Sequence, residues 1–244
     1  MIRTIYIIIL IYFLTGGVAF YFIGKRKTKE EARRNRIKYI AYFIIINSVF
    51  LSIAINPVVF RVLAGFIVIM GLYELSKLFF GSGRQRKVFF LVALCVYAFL
   101  SALFLVFSAM DKNWILFTFV ILSVFDSFSQ IAGQLWGKTK IASKISPNKT
   151  LEGVAGGALV SLLTAVFIRG LIGFGIGTII LLTLGVVVWA FLGDMAASFF
   201  KRYYNVKDYS RLIPGHGGIL DRFDSLIASG AWMAFLGYLI TYTS

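Results

Sequence analysis

The residues of this chain that can do chemistry crowd into Ser198–Asp224, SFFKRYYNVKDYSRLIPGHGGILDRFD. Lys201, Arg202, Lys207, Arg211 and Arg222 bring positive charge, and Asp208, Asp221 and Asp224, with Asp194 just upstream, bring carboxylates. His216 is the only histidine, and Gly215, Gly217 and Gly218 around it let backbone come close to a ligand. Asp194, Ser198 and Lys201 fall at i, i+4 and i+7 and share a helical face; Asp221, Asp224 and Ser225 share another. Carboxylates of this kind suit Mg²⁺ or Mn²⁺, which binds one or two of them together with substrate phosphates. Salt bridging within Asp221–Arg222–Asp224 is the plainer alternative, and a snorkelling role suits Arg211. A lone histidine is weak evidence for a base, so His216 is read here as a phosphate contact.

A second polar group lies in FDSFSQIAGQLWGKTKIASKISPNKTLEG. Asp126, Ser129, Gln130 and Gly133 fall at i, i+3, i+4 and i+7, one face of a helix. A carboxylate at membrane depth is costly and faces the bundle interior or a wet cavity, whereas Ser129 and Gln130 also suit an interhelical hydrogen-bond stripe. Gly137-Lys138-Thr139 suggests a P-loop, but Gly133 and Gly137 enclose three residues where that motif needs four, and no strand precedes them. What remains is a loop with Lys138, Ser146, Lys149 and Thr150, whose hydroxyls, amides and ammonium groups can hold phosphate. Lys140 and Lys144 read as ordinary basic loop residues.

The elements that must position these groups are membrane helices. Hydrophobic residues make up 59% of the 244 positions and charged ones only 14%, against about a quarter in ordinary globular domains. About 20 apolar residues cross a bilayer, which predicts eight spans, 4–24, 39–55, 58–80, 88–110, 114–136, 154–173, 175–199 and 219–242. The long unalternating apolar runs exclude a closed β-barrel, so the expected fold is an all-α polytopic bundle forming one domain. The first run, Thr4–Gly24, is too long for a signal-peptide core and reads as a retained span. Asn56-Pro57 marks a turn between spans two and three, and the Gly-rich 170–177 separates six from seven. The single cysteine, Cys95, excludes an intrachain disulfide and a cysteine-built zinc site.

Positive charge orders the loops. The net charge of +15 sits in segments 25–38, 81–87, 137–153 and the one after span seven, while the alternate turns carry almost none. Basic loops on one side indicate the cytoplasmic face, with both termini on the other, and suit anionic lipid headgroups rather than nucleic acid. An open bundle of this kind is compatible with a homodimer.

At these residues the sequence resembles the phosphatidate cytidylyltransferases, also called CDP-diacylglycerol synthases. Their signature, S-x-x-K-R, four residues, K-D, then P-x-H-G-G-x-x-D-R-x-D, is met by Ser198, Lys201, Arg202, Lys207, Asp208, Pro214, His216, Gly217, Gly218, Asp221, Arg222 and Asp224 with every spacing kept. Asp126, Gly137-Lys138, Ser146-Pro147, Lys149-Thr150 and Glu152-Gly153 look like the family's second conserved region, so the likeness is densest over 120–225. Ala197 stands where the family often has glutamate. The resemblance implies transfer of CMP from CTP to phosphatidic acid with Mg²⁺, and room for a second cation, in the cytoplasmic membrane of a bacterium. It assigns the metal to Asp194 and Asp221, with Asp224 in support. Lys201, Arg202, Lys207 and Arg222 would neutralise the CTP phosphates, and Ser146, Lys149 and Thr150 would bind phosphate from the other loop. Asp126 would orient the site. Two other classes fit parts of the pattern: an ion-coupled transporter using Asp126 and Asp194, and a non-catalytic anionic-lipid binder.

Overall fold

In a computed structural model, residues 2–24, 29–83, 86–213 and 217–243 are described. Among the described residues there are eight α-helices: α1 (Ile2–Gly24), α2 (Lys29–Ile55), α3 (Pro57–Gly81), α4 (Lys87–Ser108), α5 (Lys112–Trp136), α6 (Leu151–Phe167), α7 (Ile176–Tyr203) and α8 (Leu220–Thr243). They follow the expected spans closely. Four of them, α3, α4, α5 and α7, are long and apolar enough to cross a membrane. The outward side chains suit lipid: Val59, Val62, Phe66 and Ile69 of α3 are each at least half exposed. A helix with that face open belongs in a bilayer, and the chain is an integral membrane protein.

Three expectations are corrected. The fold is the expected all-α bundle, but 137–153, expected as a loop, holds a short antiparallel hairpin of β1 (Lys140–Ala142) and β2 (Ser146–Thr150), with Lys140 opposite Thr150 and Ala142 opposite Ser146. Alternation there is too short to register as strand. The sixth span stops at Phe167 rather than 173, since Arg169–Leu171 tightens into a 3₁₀ turn and Gly173 takes a positive φ of 73°. The basic segment 25–38 is helical from Lys29 onward; Lys25, Arg26 and Lys27, like Arg84 of the next basic loop, lie outside the described residues.

Local sequence explains the joints. Asn56 caps α3, its Oδ1 accepting from Val58 N at 2.9 Å with Pro57 in the first turn, and Asp111 caps α5 through Asn113 N at 2.8 Å. Helix α5 is the hub: Ile115–Leu122 are all buried, as befits a helix apolar all round, and it packs against α1, α2, α6, α7 and α8. Beyond Phe125 it carries the polar stripe Asp126, Ser129 and Gln130. Against it α6 lies unusually close, because Gly153 and Gly157 offer bare backbone. A Cβ at Gly157 would stand 2.7 Å from Phe125 O, and one at Gly153 2.7 Å from Ser129 O. Gly157→Leu is therefore expected to destabilise the bundle by about 1–3 kcal/mol, measured as a lower unfolding temperature in detergent; an unchanged temperature would contradict this packing.

Candidate active site

The polar residues meet at the end of the bundle where α5 and α7 finish and α6 and α8 begin. They line a cavity of about 1070 Å³. The α5 stripe Asp126, Ser129, Gln130 and Gly133 faces it as a unit, so the spacing of that stripe translated directly into a wall. Lys149 and Thr150 enter from β2, Asp194 and Lys201 from α7, Lys207 and Gly217 from the loop after α7, and Asp221, Arg222 and Asp224 from the first turns of α8. Asp208 and Arg211 also reach the cavity wall.

Two ammonium–carboxylate pairs dominate the floor. Lys149 forms an ion pair with Asp194, and its ammonium stands 4.7 Å from the Phe191 ring centre. Lys201 is buried and pairs with Asp221 Oδ1 at 2.6 Å. The other oxygen of Asp221 accepts from Tyr209 N at 2.9 Å and Gly218 N at 2.7 Å, so this carboxylate closes the α7–α8 loop upon itself. Of roughly four acceptor positions on a carboxylate, one remains. Gly217 makes the approach possible: its φ is 84°, and a Cβ there would stand 2.6 Å from Asp221 Oδ2. Gly217→Ala should thus lower turnover by about tenfold or more through displacement of Asp221, a loss read in the same assay as wild type. Wild-type turnover would show that the loop tolerates the change.

Arg222 donates to Tyr42 Oη at 2.8 Å and lies near that ring, 5.5 Å from its centre. Ser198 donates to Asp194 Oδ1 at 3.3 Å. Tyr209, in the loop, gives its hydroxyl to the Ala197 carbonyl at 3.1 Å. Burial first, then the charges of Asp224 and Asp221, hold that phenol well above its ordinary value of 10, so it remains a donor at neutral pH.

Several expected site residues stand elsewhere. Arg202 does not line the cavity: its guanidinium donates to the carbonyls of Ile145 at 3.2 Å and Val206 at 2.9 Å, tying the hairpin to the end of α7. Lys138 and Ser146 are likewise off the cavity wall; the Lys138 and Thr139 amides donate to Glu152, which draws the chain back to α6. Thr150 does border the cavity, but it is buried and its hydroxyl oxygen is engaged in capping α6, accepting from Gly153 N at 3.2 Å. Ser198 and Gly218 sit behind the wall rather than in it. His216, with Pro214 and Gly215, lies outside the described residues. Residues that sequence reading passed over include Tyr42, Ser210 and Glu74.

The carboxylates test the fit of a cation. Asp126, Asp194 and Asp224 face one another across the cavity and repel electrostatically. As oxygen donors they are of the type a hard divalent ion takes. Among the described residues no cluster of three or more such side chains is arranged to hold a metal by itself.

Beside the polar cavity lies a smaller apolar cleft of about 150 Å³ between α1, α2, α5 and α8, lined by Tyr12, Phe13, Ile46, Phe119 and Leu226 among others. Tyr42, Asp126, Gln130 and Arg222 border both spaces. A polar chamber and an apolar cleft thus share one wall, the arrangement an amphipathic substrate needs.

A family model described as "Cytidylyltransferase family" matches residues 2–240. Among curated proteins, one from Staphylococcus saprophyticus named phosphatidate cytidylyltransferase is 44% identical over 117 residues, 47% of this chain and 45% of that protein. Proteins of the same name from Staphylococcus haemolyticus and Staphylococcus aureus are each 42% identical over 117 residues, again 47% of this chain and 45% of the relative. These alignments span just under half the length of the curated relatives.

Proposed function

This chain belongs to the cytidylyltransferase family, and on that premise we propose that it transfers CMP from CTP to phosphatidate, giving CDP-diacylglycerol and pyrophosphate with Mg²⁺ as cofactor. The observation that carries the reading is the shared wall of Tyr42, Asp126, Gln130 and Arg222, with cations and carboxylates on one side and an apolar cleft on the other. A phosphatidate fits both: headgroup phosphate in the polar chamber, acyl carbon along the cleft and out to lipid. The names of the Staphylococcus relatives point the same way.

The chemistry needs no strong base. A phosphate monoester is anionic at neutral pH, its second pKa being about 6. One of its oxygens bonds to the α-phosphorus of CTP while the bond from that phosphorus to the bridging β-phosphate oxygen breaks, and pyrophosphate leaves with the electron pair. The obstacle is bringing two polyanions together in line, so positioning and charge neutralisation supply the rate. Lys149, Lys201, Lys207 and Arg222 face the chamber for that task. Without substrate, Lys149 and Lys201 neutralise Asp194 and Asp221. Substrate phosphate would compete for these ammonium groups and free the carboxylate oxygens that would hold a cation. Asp194 would be the main ligand in this scheme, Asp221 would add its remaining acceptor position, and Asp126 and Asp224 would supply further negative charge. Mg²⁺ when bound would withdraw charge from the phosphates.

We place the site at the cytoplasmic face of a bacterial membrane, supported by Lys140, Lys144, Lys149, Lys201 and Lys207 gathering at one end of the bundle. The test is product identity. Proteoliposomes containing phosphatidate, incubated with CTP and Mg²⁺, should yield CDP-diacylglycerol in the extracted lipid by mass spectrometry. Unchanged phosphatidate with intact, folded protein would overturn the reading; flux of an ion in its place would favour a transporter.

A further inference from the structure

Glu74 sits in the last third of α3 and is completely buried, with no part of its side chain exposed. A buried carboxylate in a membrane helix is costly unless hydrogen bonds satisfy it. Here three donors do so, all from the α7–α8 segment. Ser210 Oγ donates to Oε1 at 2.6 Å, Ile219 N to Oε1 at 3.0 Å and Leu220 N to Oε2 at 2.8 Å. One amide belongs to Leu220, the first residue of α8, and the other to Ile219 just before it, where no intrahelical partner exists. Glu74 therefore caps α8 from another helix, with its negative charge at the positive end of the α8 dipole.

This cap stands directly behind the cavity wall. Asp221, Arg222 and Asp224 follow within the first two turns of α8, and Gly218, one residue before the cap, donates to Asp221. Three consecutive amides are thus divided between two carboxylates: Gly218 to Asp221 on the cavity side, Ile219 and Leu220 to Glu74 on the far side. Glu74 does not itself line the cavity, whereas Ser210, its third donor, does.

We infer that Glu74 is a positioning residue for the reaction. It fixes the height and rotation of the α8 N-terminus, and through them the setting of Asp221, Arg222 and Asp224 against Asp194 and Lys201 of α7. The inference rests on the cytidylyltransfer reading for its kinetic part only.

The experiment compares wild type with Glu74→Gln and Glu74→Asp, purified in detergent. It measures pyrophosphate release from CTP and phosphatidate, unfolding temperature, and hydrogen exchange of the 217–225 amides. Glutamine keeps the shape but turns an NH₂ toward one of three donors; aspartate keeps the charge but falls short by one methylene. Both should lower kcat by about 10- to 100-fold, the scale of a misplacement near 1 Å, with KM for CTP within about threefold of wild type because no substrate contact is lost. Exchange at Ile219 and Leu220 should quicken about tenfold or more in both. Wild-type kcat with unchanged exchange would overturn the inference, and so would a loss confined to KM. Should both variants fail to fold, Ser210→Ala, which removes one of the three donors, carries the same readouts with a smaller loss of kcat. Wild-type kcat and exchange there would overturn it. If wild type releases no pyrophosphate, the functional reading fails, and the exchange data still decide whether Glu74 fixes the start of α8.

Discussion

Asp221→Asn should reduce pyrophosphate release by about 10²- to 10³-fold while the protein still folds. The carboxylate accepts from Lys201 on one oxygen and from the Tyr209 and Gly218 amides on the other. An asparagine has a single acceptor oxygen. If that oxygen keeps the two amides, the NH₂ group confronts the Lys201 ammonium; if it keeps Lys201, the NH₂ confronts two N–H donors. Either way Lys201 loses its counter-charge in a buried setting, a change that costs about 3–5 kcal/mol when a buried pair is broken. The unfolding temperature should therefore fall along with turnover. Turnover within about threefold of wild type would remove Asp221 from both the loop closure and the cation.

Asp194→Asn should act differently. Asp194 has side-chain partners only in its two described contacts, Lys149 and Ser198. Removing its charge relieves the repulsion it shares with Asp126 and Asp224 and releases Lys149 for phosphate. CTP binding should be kept or strengthened while the main oxygen ligand of the cation is lost. The expected result is a fall in kcat of at least about 100-fold, with KM for CTP unchanged or lower, and Mg²⁺ needed at higher concentration for what turnover remains. A rise in KM at normal kcat would show instead that Asp194 serves substrate binding rather than the reaction.

The contrast between the two aspartates was not legible in the sequence, where both are carboxylates at the membrane end of a helix. What distinguishes them is partners: backbone amides and a buried lysine for one, only the side chains of Lys149 and Ser198 for the other. Backbone donors carry no sequence signal. For the same reason Glu74 went unread. It lies in GLYELSKL, where Lys77 three residues on makes it look like half of an ordinary surface pair, and its partners come from 136 to 146 residues away. Arg202 erred in the opposite direction, since its place in a basic motif suggested phosphate, yet its guanidinium is held by two carbonyls. The hairpin in 137–153 was hidden because KIASKISPNKT has too few apolar residues to alternate.

Periodic features fared well. The eight helices follow from long apolar runs, because crossing a bilayer fixes their length and leaves helix as the backbone's only open solution there. The α5 stripe from Asp126 to Gly133 became one wall of the cavity because residues three and four apart must share a face. The tight α5–α6 contact, by contrast, depends on which helix the bare glycines meet, and that is decided by packing in three dimensions.

The most direct test is pyrophosphate release by purified protein given CTP, phosphatidate and Mg²⁺, with each left out in turn. Release that requires all three, and that falls by about 100-fold or more in Asp194→Asn and Asp221→Asn, is the predicted result. Release without phosphatidate, or equal release from the two variants and wild type, would contradict CMP transfer in this cavity.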